Sequence, residues 1–143
     1  PQRRAYRMME LKRWRDHLGV PLTLEPKYFP VPAEPAATLI LALLERHGTA
    51  AALDIAGDCG HAVWAEERNI SDASVLAEIV RARKLDADAL LEHARSAEVA
   101  ARYVQHSQEA IMRNVFGAPT YIYRDELFWG QDRLEFLDRA LAR

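Results

Sequence analysis

Residues 115–123 read VFGAPTYIY and residues 128–134 read FWGQDRL, and these two stretches decide how the chain folds. Gly117 and Pro119 stand just before a short run of β-branched and aromatic residues, which is typical of a strand. A charged turn and a second short apolar run follow, where strand alternation predicts that one of Phe128 and Trp129 faces the core. From Gln131 onwards leucines recur at helical spacing. The sequence therefore predicts strand, strand and helix over residues 120–123, 127–129 and 131–142.

The chain before this segment is predominantly helical by pattern. An amphipathic helix is predicted over 6–18, with Trp14 as a core residue on its apolar face. It is followed by a proline-rich connector over 21–35, where helix is excluded. Gly48 is predicted to end the next helix, and Asp72 and Asp86 are suitable N-caps for two later ones. Five further helices are predicted after the connector, over 36–48, 51–67, 73–83, 87–95 and 97–114.

Two short adjacent strands are too few for a stable sheet. An isolated hairpin is only marginally stable in water. We therefore expect further strands, supplied by a strand–helix–strand unit upstream of Pro1.

Composition narrows the possible functions. The net charge of -2 argues against nucleic acid as the main partner. No apolar run approaches the roughly 20 residues that a membrane-spanning helix needs. Cys59, the one cysteine, cannot form an internal disulfide, which indicates a reducing, cytoplasmic setting. No metal site is predicted, because Cys59 and His61 lack a second pair of ligands at a matching spacing.

The two stretches quoted first, together with AVW at 62–64 and RNISD at 68–72, resemble the 2-hydroxychromene-2-carboxylate isomerase family. Through that family the chain is similar to kappa-class glutathione transferases and DsbA-like oxidoreductases. The resemblance implies an α/β fold, in which an all-helical insertion interrupts a thioredoxin-like domain. The implied domains are residues 1–33 (helix and connector of the thioredoxin-like domain), 34–114 (the insertion) and 115–143 (the C-terminal half of the thioredoxin-like domain).

The resemblance also implies site residues for glutathione. Pro119 would follow a cis peptide bond, and the backbone of Ala118 would pair with the cysteinyl part of glutathione. Gln131 and Asp132 would hold the γ-glutamyl end, which free N–H groups and the dipole at a helix start also favour. The alternative for Asp132 is an ordinary place in the first turn of a helix. Candidate substrate residues, each with packing or surface placement as its alternative, are Trp64, Tyr6, Arg3 and Arg4.

The implied activity is glutathione-dependent cis–trans isomerisation of 2-hydroxychromene-2-carboxylate to trans-o-hydroxybenzylidenepyruvate, in aromatic hydrocarbon catabolism. The catalytic serine of the family would lie upstream of Pro1, so no catalytic residue is assigned, and a chain lacking that segment is expected to be inactive. Three alternatives stay open: a kappa-class-like transferase or peroxidase on other electrophiles, a DsbA-like oxidoreductase, and a non-catalytic binding module. The expected partner is a small aromatic carboxylate, and dimeric kappa-class relatives allow a homodimer.

Overall fold

The computed structural model describes residues 2–143, in which helices predominate and one small sheet lies near the C-terminus. The helices are α1 (Gln2–Leu18), α2 (Glu34–Trp64), α3 (Ala73–Ala82), α4 (Ala87–Ala94), α5 (Ala97–Met112) and α6 (Leu134–Leu141). The strands are β1 (Thr120–Tyr123) and β2 (Glu126–Trp129), and a 3-10 turn (Gln131–Arg133) precedes α6. The chain divides into two compact units between Tyr103 and Val104, here called the N-terminal unit and the C-terminal unit.

The core of the N-terminal unit is a single hydrophobic cluster formed mainly by α2, α3 and α4. Its large, fully buried side chains are Leu39, Leu43, Ile55, Leu76, Val80, Leu90 and Val99. Burying one such side chain stabilises the fold by about 1.5–3 kcal/mol, so this cluster is the main source of stability in the unit. The predicted apolar face of the helix after residue 36 is confirmed at Leu39 and Leu43, whereas Leu44 lies at the exposed rim.

Local sequence signals set several helix boundaries. Asp72 accepts a hydrogen bond from the backbone N–H of Ser74 at 2.8 Å, and Asp86 accepts one from Ala89 at 3.1 Å, which confirms both predicted N-caps. The predicted break at Gly48 is also present, since its φ of 81° and ψ of 179° interrupt α2. Glycine adopts this conformation without the steric cost that a Cβ would bring.

Helix α1 does not bury its apolar residues. Trp14, which the helical pattern suggests as a core residue, is 39% exposed and meets His17 edge-on at 5.7 Å between ring centroids. The expectation was wrong because no described residue of α1 is fully buried within the N-terminal unit. Spacing identified one face of the helix, but that face is only partly covered.

The C-terminal unit contains an antiparallel hairpin followed by a helix. Thr120 lies opposite Trp129, and Tyr123 lies opposite Glu126. The two residues of the connecting turn have positive φ, as expected for a tight two-residue hairpin loop. The final helix was predicted to begin at Gln131, but residues Gln131–Arg133 form a 3-10 turn and the α-helix starts at Leu134. Short 3-10 turns are frequent at the N-termini of α-helices, and sequence periodicity does not distinguish them.

Candidate functional site

The hairpin places the segment around Pro119 beside the start of the last helix. The backbone N–H of Gly130 donates to the carbonyl of Pro119 at 2.9 Å, directly beyond the paired residues Thr120 and Trp129. Gly130 is followed at once by Gln131 and Asp132, so the four residues predicted to hold glutathione lie in one corner of this unit. We call residues 117–120 and 129–132 the hairpin corner. Its Ala118–Pro119 peptide bond is cis, as predicted.

Ala118 has an accessible backbone within the hairpin corner. The residue is exposed, and within residues 2–143 its backbone N–H and C=O have no hydrogen-bond partner. On either side of it, the Thr120 hydroxyl donates to the carbonyl of Gly117 at 2.5 Å and Pro119 accepts from Gly130. The flanking chain is therefore fixed while Ala118 offers one donor and one acceptor. Such groups can pair with an added extended peptide.

Trp129 closes the space above Gly117. A Cβ built on Gly117 would lie 2.6 Å from the indole Nε1, and the Trp129 ring also meets Phe116 at 5.0 Å between centroids. Strand alternation predicted that one of Phe128 and Trp129 faces the core. The structure agrees, since Phe128 is 7% exposed and Trp129 is 51% exposed. Trp129 was not among the residues predicted for the site, although its position just before the Gly-Gln-Asp motif is a usable signal.

The Asp132 carboxylate folds back over Gly130. Gly130 has a φ of 98°, and a Cβ there would lie 2.5 Å from Asp132 Oδ1. The other carboxylate oxygen faces Arg133 Nη1 at 3.3 Å, and Gln131 is exposed. The first N–H groups of a helical segment lack partners within it. The corner thus combines a carboxylate, which attracts an ammonium, with backbone donors, which attract a carboxylate.

A separate cavity of about 370 Å³ lies within the N-terminal unit. One face of α1 lines it, with Arg4, Arg7 and Leu11 among the residues spaced three or four apart. Trp64, at the end of α2, and Phe29, in the connector, form another wall with ring centroids 4.5 Å apart. We call this space the arginine cavity.

The arginine cavity brings together two of the four predicted substrate residues. Trp64 and Arg4 line it, whereas Arg3 and Tyr6 are exposed on α1 and do not. The connector is held against the end of α2 by a hydrogen bond from the Thr23 N–H to the Trp64 carbonyl at 2.6 Å. Arg7 was not among the predicted substrate residues. Its position three residues after Arg4, on the face that also carries half-buried apolar residues, would have identified it.

A second, more apolar cavity of about 300 Å³ shares Phe29 and Trp64 with the first. Cys59 lines this cavity and is buried. Burial, and secondarily the negative charge of Asp58, raise the pKa of its thiol to about 11. Because the thiolate is the reactive form of cysteine, Cys59 is unsuited to nucleophilic or disulfide-exchange chemistry near neutral pH.

Metal-binding clusters and membrane-spanning helices are both absent from residues 2–143. No group of three or more His, Cys, Asp and Glu side chains in this range is arranged to hold a metal ion. In the same range, no helix has both the length and the apolar character needed to cross a membrane.

Comparisons with known proteins show the family and the fold of this chain. A family model described as a DSBA-like thioredoxin domain matches residues 1–142. A 2-hydroxychromene-2-carboxylate isomerase of Sphingobium xenophagum is 34% identical over 134 residues, which cover 94% of this chain and 66% of the relative. A protein of the same name from Pseudomonas putida is 31% identical over 140 residues, covering 96% of this chain and 65% of the relative.

A solved structure of 2-hydroxychromene-2-carboxylate isomerase has a TM-score of 0.78 and 28% sequence identity to this chain. The match covers 97% of this chain and 66% of the solved one, so the chain spans just under two thirds of the length of these relatives. The predicted thioredoxin-like fold and the family resemblance are thereby confirmed. The chain belongs to the DSBA-like thioredoxin domain family.

Proposed function

We propose that this chain carries the binding sites of a glutathione-dependent isomerase that converts 2-hydroxychromene-2-carboxylate to trans-o-hydroxybenzylidenepyruvate. The observation that carries the proposal is the unpaired backbone of Ala118, an exposed residue that shares the hairpin corner with the Asp132 carboxylate. The names of the two relatives and of the solved structure support the choice of reaction.

The hairpin corner has the groups that glutathione requires. Ala118 can exchange two main-chain hydrogen bonds with an extended tripeptide, in the manner of strand addition. The Asp132 carboxylate can accept hydrogen bonds from the α-ammonium of the γ-glutamyl residue, and a pairing of two charged groups strengthens them. The backbone N–H groups of Gln131 and Asp132 can receive the α-carboxylate of that residue. The residues present therefore fit glutathione.

When bound, glutathione supplies a thiolate nucleophile for reversible addition to the conjugated substrate, and such addition allows rotation about a former double bond. The role of the hairpin corner is to hold the tripeptide in one extended orientation. Fixing a reacting group in this way removes part of the entropic barrier to reaction.

The arginine cavity provides the features that an aromatic carboxylate needs. Phe29 and Trp64 offer an aromatic wall for the ring, and the lining also contains two arginines, Arg4 and Arg7, that can supply a partner for the carboxylate. Its volume of about 370 Å³ suits a small bicyclic molecule, since ligand pockets commonly measure about 300–1,000 Å³. The cavity thus offers one contact surface for the aromatic ring and one charged partner for the carboxylate of the proposed substrate.

The catalytic serine expected upstream of Pro1 stays a prediction. Three serines inside the chain already serve local structure. The hydroxyl of Ser71 donates to Asn69 at 2.7 Å, that of Ser74 donates to Asp72 at 2.8 Å, and that of Ser96 accepts from the Val99 N–H at 3.3 Å. We therefore assign none of these three to catalysis.

The test mixes the whole natural polypeptide with glutathione and the chromene, and follows the ultraviolet spectrum of the substrate. We expect a glutathione-dependent conversion, and a spectrum that does not respond to glutathione would contradict the proposal. Asp132→Ala should raise the glutathione concentration needed for half-maximal rate. Asp138→Ala removes an exposed carboxylate from α6 without touching the hairpin corner, and should leave that concentration unchanged. Equal requirements in the two variants would remove Asp132 from the site.

A further inference from the structure

We propose that Glu25 sets the charge selectivity of the arginine cavity, so that it prefers an aromatic monocarboxylate to an aromatic dicarboxylate. In this reading Arg7 is the primary carboxylate-binding group and Glu25 keeps Arg4 partly neutralised. The inference rests on the proposed function, because it takes this cavity as the substrate site. It adds two residues that the sequence analysis did not assign, Arg7 and Glu25.

The charges lining the cavity are unequal. Among its described lining residues, Arg4, Arg7 and Glu25 are the charged ones. Arg4 Nη2 contacts Glu25 Oε1 at 3.3 Å, whereas Arg7 forms no ion pair or side-chain hydrogen bond with any other residue of 2–143. One positive charge is therefore left uncompensated. That charge attracts one ligand carboxylate.

Arg7 lies on the face of α1 that lines the cavity. Arg4, Arg7 and Leu11 lie on the same face of α1, since positions three, four and seven apart on a helix align. Across the cavity the rings of Phe29 and Trp64 are 4.5 Å apart between centroids. A flat aromatic ligand can pack on this wall while its carboxylate pairs with the Arg7 guanidinium, which suits planar carboxylates.

The pair formed by Arg4 and Glu25 lies in the cavity lining, where it can discriminate between monocarboxylate and dicarboxylate ligands. It consists of a single contact between side chains that are 80% and 71% exposed, and such pairs contribute little to stability. A second ligand carboxylate near Arg4 would meet the like charge of Glu25 or would have to displace it. Either event disfavours a dicarboxylate, whereas a monocarboxylate on Arg7 avoids both. This is selectivity by repulsion as well as by attraction.

The test is calorimetric titration of the whole chain, without glutathione, using 1-naphthoate and 1,4-naphthalenedicarboxylate at neutral pH. We expect the wild type to bind 1-naphthoate about tenfold more tightly than the dicarboxylate, the size expected for one like charge several ångströms away. Glu25→Gln should bring the two affinities to within about threefold by strengthening dicarboxylate binding. Arg7→Gln should weaken 1-naphthoate binding by about tenfold or more.

Two matched controls lie outside the cavity lining. Lys12→Gln removes a positive charge from an exposed position on α1, and Glu98→Gln removes a negative one from α5, and both should leave the affinities unchanged. All substituted positions are exposed, and circular dichroism checks that each variant is folded.

The proposal is overturned if Glu25→Gln leaves the ratio of the two affinities unchanged, if Arg7→Gln binds 1-naphthoate as tightly as Lys12→Gln does, or if the wild type binds neither ligand. Its failure is distinguishable from failure of the proposed function. Glutathione-dependent conversion of the chromene, measured separately, can persist when the selectivity proposal fails. Conversely, selective naphthoate binding without any glutathione-dependent conversion would remove the proposed reaction.

Discussion

Replacing Gly117 by alanine would place a methyl group where the Trp129 indole already lies. The new Cβ would be 2.6 Å from Nε1, 3.3 Å from Cε2 and 3.5 Å from Cδ1 of that ring. Comfortable contact between such atoms requires about 3.5–4.0 Å, so the ring or the backbone must move by about 1 Å. The substitution therefore tests whether the hairpin corner is packed as described.

The expected change in the free energy of unfolding depends on how freely the Trp129 ring can move. Overpacking a closed site typically costs about 1–3 kcal/mol. Trp129 is 51% exposed and can partly turn away, so we expect Gly117→Ala to lower the free energy of unfolding by about 1–2 kcal/mol. Gly57→Ala is the matched control, because Gly57 lies inside α2 with nothing within 4 Å of an added Cβ. There the same change should raise the free energy of unfolding by about 0.5–1 kcal/mol.

Urea unfolding, followed by tryptophan fluorescence and circular dichroism, measures both variants against the wild type. Fluorescence includes the Trp129 signal and circular dichroism follows mainly the helices. The expected result is opposite signs for one and the same chemical substitution. If Gly117→Ala proved as stable as Gly57→Ala, the close approach of the indole to Gly117 would be refuted.

Three further predictions concern the N-terminal unit. Leu43→Ala removes a fully buried side chain and should lower the free energy of unfolding by about 2–5 kcal/mol in urea titrations, and an unchanged midpoint would show that the core lies elsewhere. Burial, and secondarily the charge of Asp58, raise the pKa of the Cys59 thiol to about 11. At pH 7.5 this thiol should therefore react with a thiol reagent on the order of a hundredfold more slowly in the native protein than after unfolding. Equal rates would contradict the burial of Cys59. The hydrogen bond from Arg83 holds the pKa of the Asp58 carboxyl below its ordinary value of 3.8. The stability that the ionised Asp58 contributes should therefore be complete above about pH 5 and should be lost as the pH falls through the lowered pKa. Asp58→Asn should therefore reduce the dependence of unfolding midpoints on pH in the acid range, and an identical acid profile would exclude this pairing as a source of stability.

The features that sequence predicted well depend on neighbours in the chain. Asp72 and Asp86 cap helices through hydrogen bonds that span only two or three residues. The hairpin at 120–129 pairs adjacent segments. The alternation of side chains along its second strand correctly predicted that one of Phe128 and Trp129 is buried. Such signals work because both interacting groups lie within one turn or one hairpin.

The candidate site was only partly accessible from sequence. The family resemblance named Ala118, Pro119, Gln131 and Asp132, and one short hairpin joins them in the structure, although the order of residues alone does not reveal that Ala118 lacks backbone partners. Their role in holding glutathione came from the family resemblance and stays a prediction.

The amino-acid sequence alone determined the order of helices and strands, the caps and the hairpin. Tertiary structure decided which faces are covered, since it left Trp14 39% exposed and gathered Arg7, Glu25 and Trp64 around one cavity. The physical reason is that periodicity states which residues share a face of an element, whereas burial and charge pairing depend on which distant segment packs against that face.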